Sequence, residues 1–135
     1  NSTPALKWIE KALPPLDGKM TGFALNVPVQ LGSMLDINVS LADTDVSLEE
    51  IQNLYVLAAS DKPDLIATTS EPIVSSDVKE SPHSLLVDML GCMKAGSQLF
   101  KIMGWHSTLG HAHRILDVAD SYKNLDRIDK NEATA

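Results

Sequence analysis

The order of helical and strand-like periodicities along the chain is the feature that most limits its fold. Helical spacing of apolar residues predicts helices over residues 5–12, 47–58 and 109–122, and strand-like patterns predict strands over 21–27, 34–41, 84–90 and 99–105. Strands and helices do not alternate one by one, as they would in a parallel α/β fold. We therefore predict an α+β domain with a mostly antiparallel or mixed sheet and with helices packed on one face.

The segment "MLDINVSL" shows the clearest alternation of the predicted strands. Every second residue from Leu35 to Leu41 is apolar and would face the core, while Asp36 and Asn38 would lie on the opposite face. Either water or a partner surface could cover that polar face. The preceding segment "TGFALNV" alternates as well, and the short loop between the two segments predicts that they pair antiparallel.

Composition and charge exclude several classes of function. The chain has 135 residues, the size of one domain, and we treat residues 1–135 as a single domain. A formal net charge of -7 argues against a nucleic-acid partner, and no apolar run reaches the length of a membrane span. The single cysteine excludes an internal disulfide and a cysteine-based zinc cluster. These features together predict a cytoplasmic protein.

The first residues predict a portion of a longer polypeptide. The chain starts at Asn1 without an initiator methionine, and a helix is predicted to begin almost at once. Ser2 or Thr3 can cap this helix, and Pro4 suits its first turn because the missing N–H costs nothing there. At residue 47 a second helix begins with the capping-box sequence "SLEE".

Two groups of residues suggest nucleophilic chemistry. Ser75, Ser76, Asp77 and His83 supply the residue types of a hydrolase triad, but no Gly-x-Ser-x-Gly sequence surrounds a serine here, so a polar loop is the preferred interpretation. Cys92 lies in a turn predicted over residues 91–97, between the last two strands. A nucleophilic cysteine needs a base and an electropositive pocket, so we expect a half-buried or turn residue instead.

The histidines and glycines do not predict a cofactor site by themselves. His106, His111 and His113 lie close together, but residues two apart on a helix point away from each other. We therefore predict no metal site. The glycines do not form a G-x-G-x-x-G loop. From its residues alone, the chain is an acidic α+β domain without a self-contained active site.

Several separated segments, taken together, resemble one enzyme family. "LPPLDGKMTGFALNVPV", Asp36, "IVSSDVKESPHS", Asp88, Lys101, Trp105 and "LGHAHRILD" follow the order and spacing of that pattern. The pattern is that of the carboxyl-terminal half of the catalytic domain of phosphorylating glyceraldehyde-3-phosphate dehydrogenases. The resemblance extends from Ser2 to about Asp117.

The resemblance implies that the parent protein is an NAD-dependent enzyme of glycolysis that forms homotetramers through the sheet of this domain. The family's nucleophilic cysteine and general-base histidine correspond to positions upstream of Asn1, as does the Rossmann domain that binds NAD. No catalytic residue is therefore expected in this chain, and the isolated chain should be inactive. Ser75, Ser76, Asp77 and His83 would support the fold or subunit contacts.

The resemblance also implies residues that border the ligands. Thr3 corresponds to the family's phosphate-binding threonine, and Asn26 stands where the family has a phosphate-binding arginine. The family's asparagine for the nicotinamide amide falls near Ser107, and His111 stands where the family has a tyrosine. These departures leave two alternatives open: a binding or assembly module without dehydrogenase activity, or a parent that acts on another phosphorylated aldehyde.

Overall fold

The computed structural model describes the backbone of residues 3–132 and the side chains of residues 3–123. Its helices and strands follow in the order α1 (Ala5–Ala12), β1 (Ser33–Ser40), α2 (Leu48–Asp61), β2 (Ile66–Thr69), β3 (Leu85–Ala95), β4 (Leu99–His106) and α3 (Thr108–Glu132). Short 3-10 helices cover Pro14–Leu16 and Ser75–Val78. Within the described residues, no helix is both long enough and apolar enough to cross a membrane.

The strands form one mixed sheet in the order β1-β4-β3-β2. β4 lies antiparallel to both β1 and β3, whereas β2 and β3 are parallel. Residues 70–84 connect these parallel strands and include the second 3-10 helix, since a parallel pair needs a crossover rather than a tight turn. The predicted α+β class with a mixed sheet is confirmed.

The apolar face of the sheet carries the core. Phe100 and Val87 are almost fully buried, and α2 packs against β2 and β3. Lys94 lies opposite Phe100 in the β3–β4 register. Its ammonium group lies 5.3 Å from the centre of the Phe100 ring and donates a 2.6 Å hydrogen bond to the carbonyl of Val46. This lysine therefore fixes the start of α2 on the apolar face.

The predicted capping box at the start of α2 is confirmed. The backbone N–H of Glu50 donates to the Ser47 hydroxyl at 3.1 Å, and the backbone N–H of Ser47 donates to the Glu50 carboxylate at 2.6 Å. These hydrogen bonds satisfy N–H groups that a helix leaves without internal partners. They also lower the pKa of Glu50, because the backbone and hydroxyl groups of Ser47 stabilise its ionised form.

The strand predicted over residues 21–27 is absent from the sheet that the structure describes. Phe23 and Leu25 are each 70% exposed, and β1 pairs with β4 instead. Alternation shows which face a residue would take, but a strand also needs a partner edge. β1 finds one in β4, where Ile37 lies opposite Ile102.

The turn predicted over residues 91–97 begins only at residue 96, so the prediction is wrong for residues 91–95. β3 continues through this segment to Ala95, with a register irregularity between Asp88 and Met93, and the chain reverses around Gly96 at a φ of 60°. The small residues that suggested a turn serve close packing instead. A Cβ on Gly91 would lie 2.7 Å from the Cβ of Met103 on β4.

Replacing Ser47 by alanine should destabilise the fold by about 1 kcal/mol at neutral pH, because the first turn of α2 loses its cap. The stabilisation from Glu50 exists above its unfolded-state pKa, near 4.5, and disappears as the pH falls through its lower folded-state pKa. The free energies of unfolding of the unsubstituted 135-residue chain and of Ser47→Ala, measured with urea, should therefore differ less at pH 3 than at pH 7. Ser47→Thr, which keeps the hydroxyl, is the control; a threonine variant as unstable as the alanine variant would contradict this account.

Candidate functional site

A cavity of about 290 Å³ lies where α3 begins, between the end of β4 and the loop that precedes β1. Its lining consists of small and polar residues: Gly32, Ser33, His106, Ser107, Thr108 and His111. Two imidazoles and three hydroxyl side chains therefore surround a space that suits a polar group. This cavity is the candidate ligand site in the described part of the chain.

Ser107 holds the first turn of α3 in place. Its side chain is buried; the hydroxyl donates to the carbonyl of Ser81 at 2.9 Å and accepts from the backbone N–H of Gly110 at 3.3 Å. Gly110 lies directly against the carbonyl of His83, so an added Cβ would collide with backbone. Ser107 and Gly110 together join α3 to residues 81–83, and this junction positions the cavity wall.

The three histidines of this region do not meet in one place. His106 and His111 line the cavity, whereas His113 does not. Among residues 3–123, no three His, Cys, Asp or Glu side chains lie close enough to hold a metal ion. The two lining imidazoles can donate or accept hydrogen bonds, so they fit a neutral polar or anionic group.

The backbone around Gly32 closes the cavity on the side of β1. Gly32 has a φ of 80°, and a Cβ at this position would lie 2.7 Å from the carbonyl oxygen of Ser75 and 2.8 Å from Val78. Both the conformation and the lack of space require glycine here. Sequence reasoning missed Gly32, Ser33 and Thr108 as lining residues. The only sequence signal for this part of the lining was a glycine in a loop, and a glycine does not show which residues the loop contacts.

The carboxylate of Asp88 fixes Trp105, the residue before the cavity-lining His106. One oxygen of its buried carboxylate accepts from the backbone N–H groups of Leu90 and Gly91, both at 3.0 Å. The other oxygen accepts from the indole N–H of Trp105 at 3.2 Å. The carboxylate therefore bridges the irregularity in β3 and the end of β4, directly before His106.

Cys92 is buried within β3 rather than half-buried in a turn. Its thiol donates to the carbonyl of Asp88 at 3.3 Å, and it lies near Tyr55 of α2. Burial, and to a lesser extent the charge that Cys92 would carry as a thiolate, raises the pKa of Tyr55. A buried thiol engaged with a carbonyl is a structural residue, which agrees with the sequence argument against a nucleophile.

The triad suggested by Ser75, Ser76, Asp77 and His83 does not form. Asp77 accepts from the backbone N–H of Val74 at 2.8 Å, at the start of the 3-10 helix. The Nδ1 atom of His83 lies 3.3 Å from the hydroxyl of Ser81, a near neighbour in sequence. Asp77 and His83 therefore form hydrogen bonds with near neighbours in sequence.

The residues predicted to border the phosphates lie outside this cavity. The hydroxyl of Thr3 accepts from the backbone N–H of Ala5 at 3.3 Å, at the start of α1, and Pro4 rather than Thr3 occupies the capping position. Asn26 is exposed in the extended segment before β1. Of the predicted ligand residues, Ser107 alone lines the cavity, beside His111.

The structure thus has a mixed α+β sheet with a polar cavity at the start of α3. Residues 1–108 match the family described as "Glyceraldehyde 3-phosphate dehydrogenase, C-terminal domain". The chain therefore belongs to this family. The resemblance inferred from the separated sequence segments is confirmed.

Relatives from distant organisms are named glyceraldehyde-3-phosphate dehydrogenase. The chain is 40% identical over 122 residues to glyceraldehyde-3-phosphate dehydrogenase of Borreliella burgdorferi, covering 87% of this chain and 36% of the relative. It is 37% identical over 120 residues to glyceraldehyde-3-phosphate dehydrogenase 1 of Streptomyces avermitilis, covering 87% and 35%. Identity to glyceraldehyde-3-phosphate dehydrogenase 1 of Caenorhabditis elegans is 33%, with the same coverage. The chain thus spans about a third of the length of these relatives.

Removing the indole donor or the carboxylate acceptor of the Asp88–Trp105 pair should destabilise the domain by about 1–3 kcal/mol, because a buried polar group loses its partner. Asp88→Ala removes the acceptor of the indole N–H. Its cost should therefore be about 1 kcal/mol smaller in a Trp105→Phe background, where that N–H is already absent. Urea unfolding of the two single variants and the double variant measures this coupling. Additive effects would show that the pair contributes nothing as a unit.

Proposed function

We propose that the chain is the carboxyl-terminal portion of the catalytic domain of an NAD-dependent phosphorylating glyceraldehyde-3-phosphate dehydrogenase. Such an enzyme converts an aldehyde, NAD and inorganic phosphate into an acyl phosphate and NADH. The observation that supports this most strongly is the family match over residues 1–108, together with the names of the relatives. Within the parent, this portion would shape the substrate and cofactor sites.

The reacting groups would come from the portion of the parent upstream of Asn1. A cysteine thiolate there would attack the aldehyde carbon, and hydride would leave the resulting adduct for NAD. Phosphate would then displace the thiolate from the acyl group and release the acyl phosphate. Cys92 does not suit this role, because its thiol is buried and donates to a carbonyl. On this proposal, the 135-residue chain is inactive alone and residues 1–135 act as one unit.

Thr3 and Asn26 would border the phosphate groups. Thr3 precedes α1, where backbone N–H groups have no partners within the helix and suit an anion. Pro4 has no N–H to contribute, which reduces the number of donors. Asn26 offers an amide donor from the exposed segment before β1, but it carries no positive charge. The parent should therefore bind phosphate less tightly than a relative that has arginine at this position.

The cavity at the start of α3 would form one side of the NAD site. Ser107 stands near the position from which family members hold the nicotinamide amide. Since the Ser107 hydroxyl already bonds Ser81 and Gly110, His111 is the better placed donor for a ligand. This arrangement supports a hydrogen bond from His111, rather than from Ser107 alone, to the nicotinamide amide.

The polar face of the sheet would serve assembly of the parent into a homo-oligomer, with a tetramer implied by the family. Lys101 donates to the Asp36 carboxylate at 2.8 Å, and the amide of Asn38 donates to the same carboxylate at 3.3 Å. These partly exposed groups can exchange hydrogen bonds with a symmetry-related face. A cytoplasmic location fits the acidic charge and a phosphorylated small-molecule substrate.

A second candidate follows from the substitution at residue 26. Without the arginine, the parent either accepts another phosphorylated aldehyde or has lost the dehydrogenase activity and acts as a binding or assembly module. Both alternatives keep the fold and the family membership. They differ from the first proposal in the activity expected of the whole parent.

Two assays of NADH formation test the proposal. The isolated chain should produce no NADH from NAD, phosphate and glyceraldehyde 3-phosphate, whereas the whole parent protein should. Asn26→Arg in the parent should lower the KM for the phosphorylated aldehyde by about tenfold, because a charge-assisted hydrogen bond to phosphate is added. Asn53→Arg, at an exposed position on α2, is the matched control for the added charge. A parent that is inactive with and without the arginine would support the binding module, and activity of the isolated chain would contradict the proposal.

A further inference from the structure

A tight turn follows the first 3-10 helix. The backbone N–H of Lys19 donates to the carbonyl of Leu16 at 3.0 Å, which makes Asp17 and Gly18 the two central residues of a four-residue turn. Asp17 has a φ of -57° and a ψ of 128°, and Gly18 has a φ of 68°. These angles are those of a type II turn, whose third residue needs a positive φ and is therefore typically glycine.

The backbone N–H of Gly18 and the carboxylate of Asp17 are both free within the described part of the chain. Among residues 3–123, this N–H forms no hydrogen bond with a backbone carbonyl, and the carboxylate forms no ion pair. Both residues are exposed, and a Cβ added to Gly18 would meet no atom within 4 Å. Since a polar backbone group needs a partner, water must satisfy the Gly18 N–H, and the turn is solvated.

These two groups can react with each other. The Gly18 nitrogen bonds to Cγ of Asp17, and one carboxyl oxygen leaves as water with the hydrogen of the amide and the hydrogen of the protonated carboxyl group. The product is a five-membered succinimide ring. Water then adds to the main-chain carbonyl carbon of Asp17, and the bond from that carbon to the Gly18 nitrogen breaks. The result is isoaspartate, which has the mass of aspartate and needs no oxidant or cofactor to form.

Glycine at residue 18 removes two obstacles to ring closure. It has no side chain that would block the approach of its nitrogen to the carboxyl carbon of Asp17. Glycine also adopts positive and negative φ about equally well, so the central peptide of the turn can rotate and convert the type II turn into type I. Rotation in one sense carries the Gly18 nitrogen past the carboxyl group.

The other aspartates lack this combination of features. Gly18 is the only glycine in the chain that follows an aspartate. Asp120 is exposed and precedes a small residue, but α3 holds its backbone in the helical conformation. The carboxylate of Asp43 accepts from the backbone N–H of Asp45 at 2.9 Å. Reaction is therefore expected at residue 17 and not at these positions.

We propose that Asp17 is a site of spontaneous modification, at which the chain accumulates isoaspartate as it ages. The change adds one carbon to the backbone of the turn and attaches the free carboxylate directly to the main chain. The turn connects α1 to the segment that contains Asn26, so the modification alters the path between these two parts. The proposal rests on the turn alone and does not depend on dehydrogenase activity.

Peptide mapping of aged protein measures the conversion. Trypsin cleaves after Lys11 and Lys19 and releases residues 12–19, in which Asp17 is the only acidic side chain. After several weeks in warm buffer at neutral pH, this peptide should elute as two forms of equal mass, and fresh protein should give one form. Electron-transfer fragmentation should place the isoaspartate at residue 17. The tryptic peptide of residues 115–123, which contains Asp120 within α3, is the internal control and should remain a single form.

Two variants separate this reaction from other changes in the same peptide. Asp17→Glu keeps the charge, but its longer side chain would have to close a six-membered ring, so the second form should be lost. Gly18→Ala keeps the aspartate and restricts rotation of the peptide, so conversion should slow even if the turn is disturbed. An unchanged rate in Gly18→Ala would overturn the proposal, as would equal conversion of the control peptide. A single form of peptide 12–19 from the aged chain or from the aged whole parent would also overturn it.

Discussion

The carboxylate of Asp88 is the interaction on which the rest of the sheet depends. It accepts from two backbone N–H groups within β3 and from the indole of Trp105 on β4. By satisfying donors that the irregularity of β3 frees from the ladder, it allows β3 to continue to Ala95. The continued strand carries Lys94 to the start of α2, and the indole fixes the end of β4 beside the cavity.

The described residues of this domain therefore fix the shape of the cavity, and the buried thiol of Cys92 does not suit a nucleophile. Ser107 and Gly110 join α3 to residues 81–83, Gly32 closes the cavity from the side of β1, and Cys92 is buried away from both. The chain belongs to the glyceraldehyde-3-phosphate dehydrogenase C-terminal domain family, and it spans about a third of the length of relatives that carry that enzyme's name.

Local patterns in the sequence predicted what depends on near neighbours. The capping box of α2 was predicted correctly, since it follows from spacing along the chain. β1 forms where alternation predicted it, but Leu35 and Ile37, which were predicted to face the core, are exposed. The order and spacing of several separated segments, taken together, identified the family. Strand pairing was harder to predict from the sequence. Residues 21–27 alternate as β1 does, but they have no partner strand in the described residues. The glycine and cysteine after Asp88 suggested a turn, whereas the structure has an irregularity within β3. The contact of Ser107 with Ser81 joins segments far apart in sequence and left no local pattern.

The mass of the natural polypeptide in cell extract tests the account most directly. An antibody against the exposed face of α2, which presents Leu54 and Leu57, would detect the domain in whatever protein contains it. The account predicts a band of about three times the mass of this chain, because the chain spans 36% of a relative that carries the whole enzyme's name. A band at 14.6 kDa would contradict it, since the catalytic cysteine and the NAD domain would then have no place in the same polypeptide.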